Sequence, residues 1–168
     1  MSALAKRVLL FLSRVLFSEG PPSKGTRWAL YVHHLGNYMH RWILLTPWGS
    51  LRLHHILRSD ADRHLHDHPF DFTSFLLTGG YVEVTPLPDA LNPNHTGRIS
   101  KTWPRFSRVR KVAEEAHLLV LTRPVWTFVI TGPKRRNWGF HTEKGWIYYR
   151  DYSAAFPEHA ASTREIRP

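Results

Sequence analysis

The sequence predicts an all-β fold, a single small β-barrel or jelly roll with an N-terminal helix in front of it. Three observations carry that prediction. The chain has 168 residues with 42% hydrophobic and 13% aromatic content, which suits one domain with a sizeable core. From residue 26 onward the apolar residues fall in short alternating or β-branched runs, and no long helical period appears. Turn residues punctuate those runs at the spacing of a sandwich or barrel.

The first element is "MSALAKRVLLFLSRVLFSEGPP". Leu4, Val8, Leu12, Val15 and Leu16 fall near one helical face, and Pro21 and Pro22 end the segment, so an amphipathic helix is expected over residues 1–20. Arg14 interrupts an apolar run too short for a bilayer, which needs roughly 20 apolar residues. "FSEGPP" offers no clean cleavage site, so no signal peptide is expected and the chain is assigned to the cytoplasm. The helix is expected to pack on its own domain or on a second subunit of a homodimer. Peripheral contact of residues 1–18 with an anionic membrane is the alternative.

The barrel is expected over residues 26–153. "YMHRWILLT" and "SLRLHHIL" flank Pro47 and Gly49 as a hairpin, with Leu51, Leu53 and His55 alternating against Arg52 and His54. Phe72–Leu77 and Tyr81–Thr85 flank Thr78, Gly79 and Gly80, where two glycines permit a tight reversal and a second hairpin. Residues 86–101 lack an apolar period and read as an exposed loop. Strands resume in "TWPRFSRVRKV", "HLLVLT", "VWTFVITG" and "GWIYYRDY". Residues 154–168 form a tail with room for one helical turn.

Lysine and arginine number 23 against 13 acids, a formal charge of +10 that favours anionic partners. The absence of cysteine excludes disulfides, thiolate zinc sites, iron–sulfur clusters and a cysteine nucleophile. Any metal must therefore bind through imidazole, carboxylate or water. "DRHLHDHPFDF" offers such groups. In an extended chain His64, His66 and His68 point one way and Leu65 and Asp67 the other. Next-but-one residues lie roughly 6.5 to 7 Å apart, so two of the three histidines can share an ion while the third falls outside its reach. Pro69 holds His68 extended, which favours His66 and His68 as the pair. His64 is an alternative ligand, and Asp67 a candidate for orienting an imidazole from behind or for an exposed salt bridge to Arg58 or Arg63. Asp71 and His117 are the best candidates to complete the coordination, and they can meet the pair only if the sheet curls.

"HDHPFDFTSFLLTGG" resembles the first motif of the cupin superfamily, small β-barrels in which H-x-H is followed by an acid, several apolar residues and a glycine. The resemblance spans about residues 40 to 150 and extends to uncharacterised cupin-like proteins of bacteria and phages. It implies that His66 and His68 are paired ligands, that Asp71 stands where the family usually has glutamate, and that His117 of "EEAHLLVL" supplies the histidine of the second motif. "HLHDH" is also similar to the H-x-H-x-D-H signature of metallo-β-lactamase-like hydrolases, with one residue missing. The H-x-D/E pair of 2-oxoglutarate oxygenases is absent from the cluster.

Imidazoles with one or no carboxylate suit iron(II), zinc, manganese, nickel or copper and leave positions open for substrate or dioxygen. The leading expectation is a metal-dependent enzyme, a non-haem iron oxygenase of dioxygenase type, acting on a small anionic substrate with Fe(II) as cofactor. Trp126, Phe128, Tyr148 and Arg150 are candidates for lining its cavity, with Arg150 suited to a carboxylate or phosphate. A metal-dependent sugar isomerase or epimerase uses the same open site as a Lewis acid. The alternative outside catalysis is a binding module for nucleic acid or anionic membrane. Its surface would combine Lys134, Arg135 and Arg136, the basic run Arg98, Lys101, Arg105, Arg108, Arg110 and Lys111, and Trp103, Phe106 and Trp138.

Overall fold

The computed structural model describes residues 18–60, 64–87 and 97–157. The helix expected over residues 1–20, with its membrane or subunit contact, lies outside them except at its last three positions, where Ser18 and Glu19 are already extended and Gly20 turns at φ +76°. There β1 (Ser18–Glu19) runs parallel to β2 (Ala29–Leu35). No helix among the described residues is long and apolar enough to cross a membrane.

After β2 come β3 (Met39–Thr46) and β4 (Gly49–Ile56), which form the first expected hairpin, closing at Thr46 opposite Gly49. Then follow β5 (Leu65–His66), β6 (Phe72–Thr78), β7 (Tyr81–Pro86), β8 (Arg98–Trp103), β9 (Arg108–Lys111), β10 (Leu118–Val120), β11 (Val125–Thr131), β12 (Gly139–Thr142) and β13 (Gly145–Tyr148). A single-turn helix, α1 (Tyr152–Ala155), ends the described chain. One layer is a seven-stranded sheet in the order β1-β2-β3-β4-β11-β6-β9. The other consists of β10-β7-β8 and β13-β12-β5, joined where His66 and His117 pair across an antiparallel bridge. The chain is thus mostly β, in two facing layers of the jelly-roll kind.

The second expected hairpin is not formed. β6 pairs with β11 and β9, whereas β7 pairs with β8 and β10, so residues 79–80 carry the chain from one layer to the other. Gly79 has the positive φ of +68° such a corner needs, and a Cβ on Gly80 would lie 2.6 Å from the Trp103 carbonyl oxygen. Two glycines therefore mark a change of sheet rather than a reversal within one. The run "TWPRFSRVRKV" likewise divides, because Pro104 to Phe106 separate β8 and β9 into different layers, with Phe106 at φ +68°. The loop expected over 86–101 is shorter than its sequence suggests. Residues 98–101 belong to β8, an edge strand with no buried residue and hence no apolar period to betray it.

Between the layers lies a core of Leu35, Tyr38, Met39, Ile56, Leu76, Tyr81, Val109, Leu119 and Val125. A second cluster reaches past the barrel into the expected tail: Tyr152 and Phe156 are buried against Phe140, with the Tyr152 and Phe140 rings 3.8 Å apart and nearly parallel. These two cores leave an inner cavity between the layers, and it holds the site.

Candidate metal centre

Three backbone anchors fix the "HDH" segment. His66 and His117 exchange both of their peptide hydrogen bonds, each 2.9 Å, which sets their side chains beside each other on one face. On the opposite side Asp67 N donates to Gly139 O at 3.0 Å, and His68 N then donates to Ala113 O at 2.9 Å. Residues 66–68 are thereby held extended, and His66 and His68 share a face as alternation requires. The side-chain nitrogens of His66, His68 and His117 come within 4.8 Å of one another, the group among the described residues that has metal-binding geometry. Nε2 of His68 lies 2.9 Å from Nε2 of His117, and the three ring centroids are 5.0 to 5.2 Å apart.

Carboxylates stand behind two of these rings. Glu83, on the inward face of β7, faces His117 Nδ1 at 2.6 Å, pairs with Lys111 Nζ at 2.9 Å and accepts from Trp103 Nε1 at 2.8 Å. Asp60 lies 3.5 Å from His66 Nδ1 and accepts from Tyr38 Oη and the Leu119 amide. A carboxylate on Nδ1 fixes the tautomer and directs the Nε2 lone pair away from it, toward a shared ion. Burial, with His117 beside it, pushes the His68 imidazole well below its ordinary pKa, and so holds it in the neutral form that ligation requires. Three imidazoles with no carboxylate among them form a donor set that fits zinc, iron, nickel or copper.

The other sequence candidates lie elsewhere. Asp71 does not reach the histidines: its Oδ1 accepts from Ala113 N at 2.8 Å and from Arg135 Nη2 at 2.7 Å, at an exposed edge where Arg135 also binds Glu114. Its shorter arm is taken by that arginine. His64 precedes β5 and turns away, with Nδ1 2.7 Å from Tyr152 Oη and Nε2 3.1 Å from Glu143. Asp67 is fully buried and not paired with Arg58, while Arg63 lies outside the described residues. It accepts from Gly139 N and Arg136 Nη1, each at 2.7 Å, and from Trp146 Nε1 at 2.8 Å, with His141 Nε2 at 3.2 Å. It therefore acts as a staple between the "HDH" segment and the β12–β13 hairpin.

Burial works to raise the Asp67 carboxyl, but hydrogen bonds from His141, Gly139, Arg136 and Trp146 outweigh it and bring the group to about 2. Burial opposes the same outcome at Glu83, where His117, Lys111 and Trp103 bring it to about 2. Both folded values lie below the ordinary 3.8 and 4.5, so each carboxylate contributes stability that is complete above the unfolded pKa and is lost as pH falls toward 2. The urea midpoint of metal-free protein is accordingly expected to drop steeply between pH 5 and about 2. A midpoint flat across that interval would contradict the assignment.

The cavity has a volume of about 310 Å³, near the lower end of the roughly 300 to 1,000 Å³ typical of ligand sites. The triad forms one wall, flanked by Phe72, Trp138 and Phe140. The facing wall is the seven-stranded sheet, and here the expected strand phase is inverted. Thr127 and Val129 line the cavity, whereas Trp126 lies on the outer face, stacked on His55 at 4.2 Å and on Trp42 at 5.5 Å, and Phe128 shares that face. On β4 the inward side chains are Arg52, His54 and Ile56, not Leu51 and Leu53. Tyr149 reaches the cavity, stacked on Trp138 at 4.6 Å, while Tyr148 does not, and exposed Arg150 donates to Tyr149 Oη. The inner face of this sheet mixes Arg41, Arg52, His54 and Thr127 with Met39, Ile56 and Val129, while the large aromatic rings of β11 face outward, against the usual rule that such side chains turn inward.

Glu83 and Asp60 were not among the sequence candidates. For Glu83 a signal existed: in "YVEVT" it shares the face of Tyr81, an acid in the buried phase of a strand. Asp60 carried none, since "RSDAD" has no period.

No family model matches the sequence, and no curated protein does. Among solved structures the chain is similar to hydroxypropylphosphonic acid epoxidase from S. wedmorenis in complex with fosfomycin, with TM-score 0.47 and 14% identity over 61% of this chain and 55% of that one. The chain thus spans about half the length of that enzyme, whose structures include an iron(II) form. It is also similar to a cupin-2 domain from Rhodospirillum rubrum, with TM-score 0.46 and 14% identity over 86% of this chain and 92% of that one. A protein from Neisseria meningitidis matches with TM-score 0.43 and 14% identity over 58% and 88%. In its own strand order the chain is a two-layered β fold of the jelly-roll kind, in which an H-x-H pair meets a histidine far along the sequence.

Proposed function

We propose that this chain is a metal-dependent enzyme of the cupin type that oxygenates a small anionic molecule, with iron(II) as its metal. The observation that carries this reading is the convergence of His66, His68 and His117 on the wall of an inner cavity whose described lining contains no carboxylate. When bound, iron supplies redox and Lewis-acid chemistry. The chain's own residues hold and orient. Glu83 and Asp60 aim two of the rings, Phe72, Trp138 and Phe140 keep the triad's surroundings apolar, and the opposite wall receives the substrate.

Metal analysis of untagged protein tests this reading first. One equivalent of metal is expected in wild type, with at least a tenfold weaker hold in His66→Ala, His68→Ala and His117→Ala, and no loss in Asp71→Ala. Oxygen uptake by iron(II)-loaded protein, driven by a panel of small carboxylates and phosphate esters, is the second measurement. Zinc alone in the purified protein, with no such uptake, would move the proposal from oxygenation to sugar isomerisation or epimerisation at the same centre.

A nucleic-acid module would rest on Arg98, Lys101, Arg105, Arg108, Arg110 and Lys134, which are exposed, since the other three basic residues of that surface are engaged within the fold. Arg135 binds Asp71 and Glu114, Arg136 binds Asp67, and Lys111 is buried against Glu83.

A further inference from the structure

The seven-stranded sheet turns a cationic row toward the triad. His33 of β2, Arg41 of β3, His54 of β4 and Thr127 of β11 occupy one transverse line of the register, each opposite the next. All four point into the cavity, and Arg52 lies two residues along β4 on the same face. Adjacent strands are about 4.8 Å apart, so Arg41, His54 and Thr127 fall within about 10 Å. Three atoms of this row, Arg41 Nε, His54 Nε2 and Thr127 Oγ1, are buried and make no hydrogen bond with the described residues. None of the contacts that the arginines make among the described residues is to a carboxylate. Arg41 Nη2 is 3.0 Å from His33 Nδ1, Arg52 Nε donates to Ser50 Oγ at 2.7 Å, and the Arg52 guanidinium lies over the Phe70 ring at 4.4 Å.

Two guanidiniums facing a cavity without a carboxylate among its described lining residues are costly, as are buried donors without acceptors. A fold retains such a cluster where something else supplies the acceptor. We propose that Arg41, Arg52, His54 and Thr127 form an oxyanion subsite that binds the carboxylate or phosphate end of a small organic molecule and presents its other end to the histidine centre. This rests on the enzyme reading for what happens at the histidines, but not for the binding itself. The chemistry is that of a planar fork of N–H donors closing on an oxyanion, completed by a hydroxyl and a neutral imidazole. Burial, with Arg41 and Arg52 adjacent, pushes His54 well below its ordinary pKa, so it contributes a hydrogen bond and no charge.

The binding is tested on chelator-treated protein by calorimetric titration with two probes, inorganic phosphate and succinate. One-to-one binding of at least one probe is expected, and which one binds distinguishes phosphate from carboxylate. Arg41→Gln and Arg52→Gln should each weaken it at least about tenfold, and Thr127→Val about fivefold. His66→Ala/His68→Ala should retain it, which separates failure of the subsite from failure of the metal centre. If the arginine variants do not fold, Thr127→Val decides, because it replaces one hydroxyl with a methyl of similar shape. Absence of binding in wild type, or equal binding in the folded subsite variants, overturns the proposal.

Discussion

Asp67→Ala should cost about 3 to 5 kcal/mol of folding stability and empty the metal centre at the same time. The carboxylate is fully buried and accepts from the Gly139 amide, the Arg136 guanidinium and the Trp146 indole, with His141 also within reach. Its removal leaves these donors facing one another across a void, and an arginine without its counter-charge. The residue lies between His66 and His68 and points away from both, so its backbone position sets the separation of the two rings. Urea unfolding of the metal-free variant measures the first effect and metal stoichiometry the second. A loss below about 1 kcal/mol, the worth of an exposed ion pair, would show that the staple bears little of the fold.

Glu83→Gln is expected to lower metal affinity by about 10- to 100-fold without removing a ligand. The amide keeps the shape but loses the charge that holds His117 Nδ1–H, and it leaves Lys111 buried without an anion. Two effects are therefore mixed in the single variant, and a second substitution separates them. Glu83→Gln/Lys111→Met should recover stability, because the stranded ammonium is gone, while affinity stays low. Recovery of both in competition titrations against a chelator would mean that Glu83 serves only to neutralise Lys111.

The sequence made the ligand pair legible because alternation and a following proline are local facts, and "HDHP" contains them all. His117 stands among the sequence candidates at the head of "HLLVLT", but nothing local brings it to His66, since the bridge between them joins residues far apart in the chain. Asp71 was assigned to the centre on order along the motif, and nothing in the sequence announced that Arg135 would hold it. The strand phase was hidden for a different reason. In "SLRLHHIL" the alternation of Leu51 and Leu53 against Arg52 and His54 leaves open which set faces inward, and it is Arg52 and His54 that do, against the usual preference for apolar burial. The cationic row across β2, β3, β4 and β11 follows from the same phase, and no single strand reveals it.

In regular pairing among the described residues, the layer that carries the histidines consists of two three-stranded pieces that meet at one residue pair. His66 and His117 form that seam, and His68 follows two residues after His66, just beyond the end of β5. An ion gripped by all three would span the join like a rivet, so loading the centre and closing the sheet become one event, and the empty protein would be softest along the line where its chemistry is done.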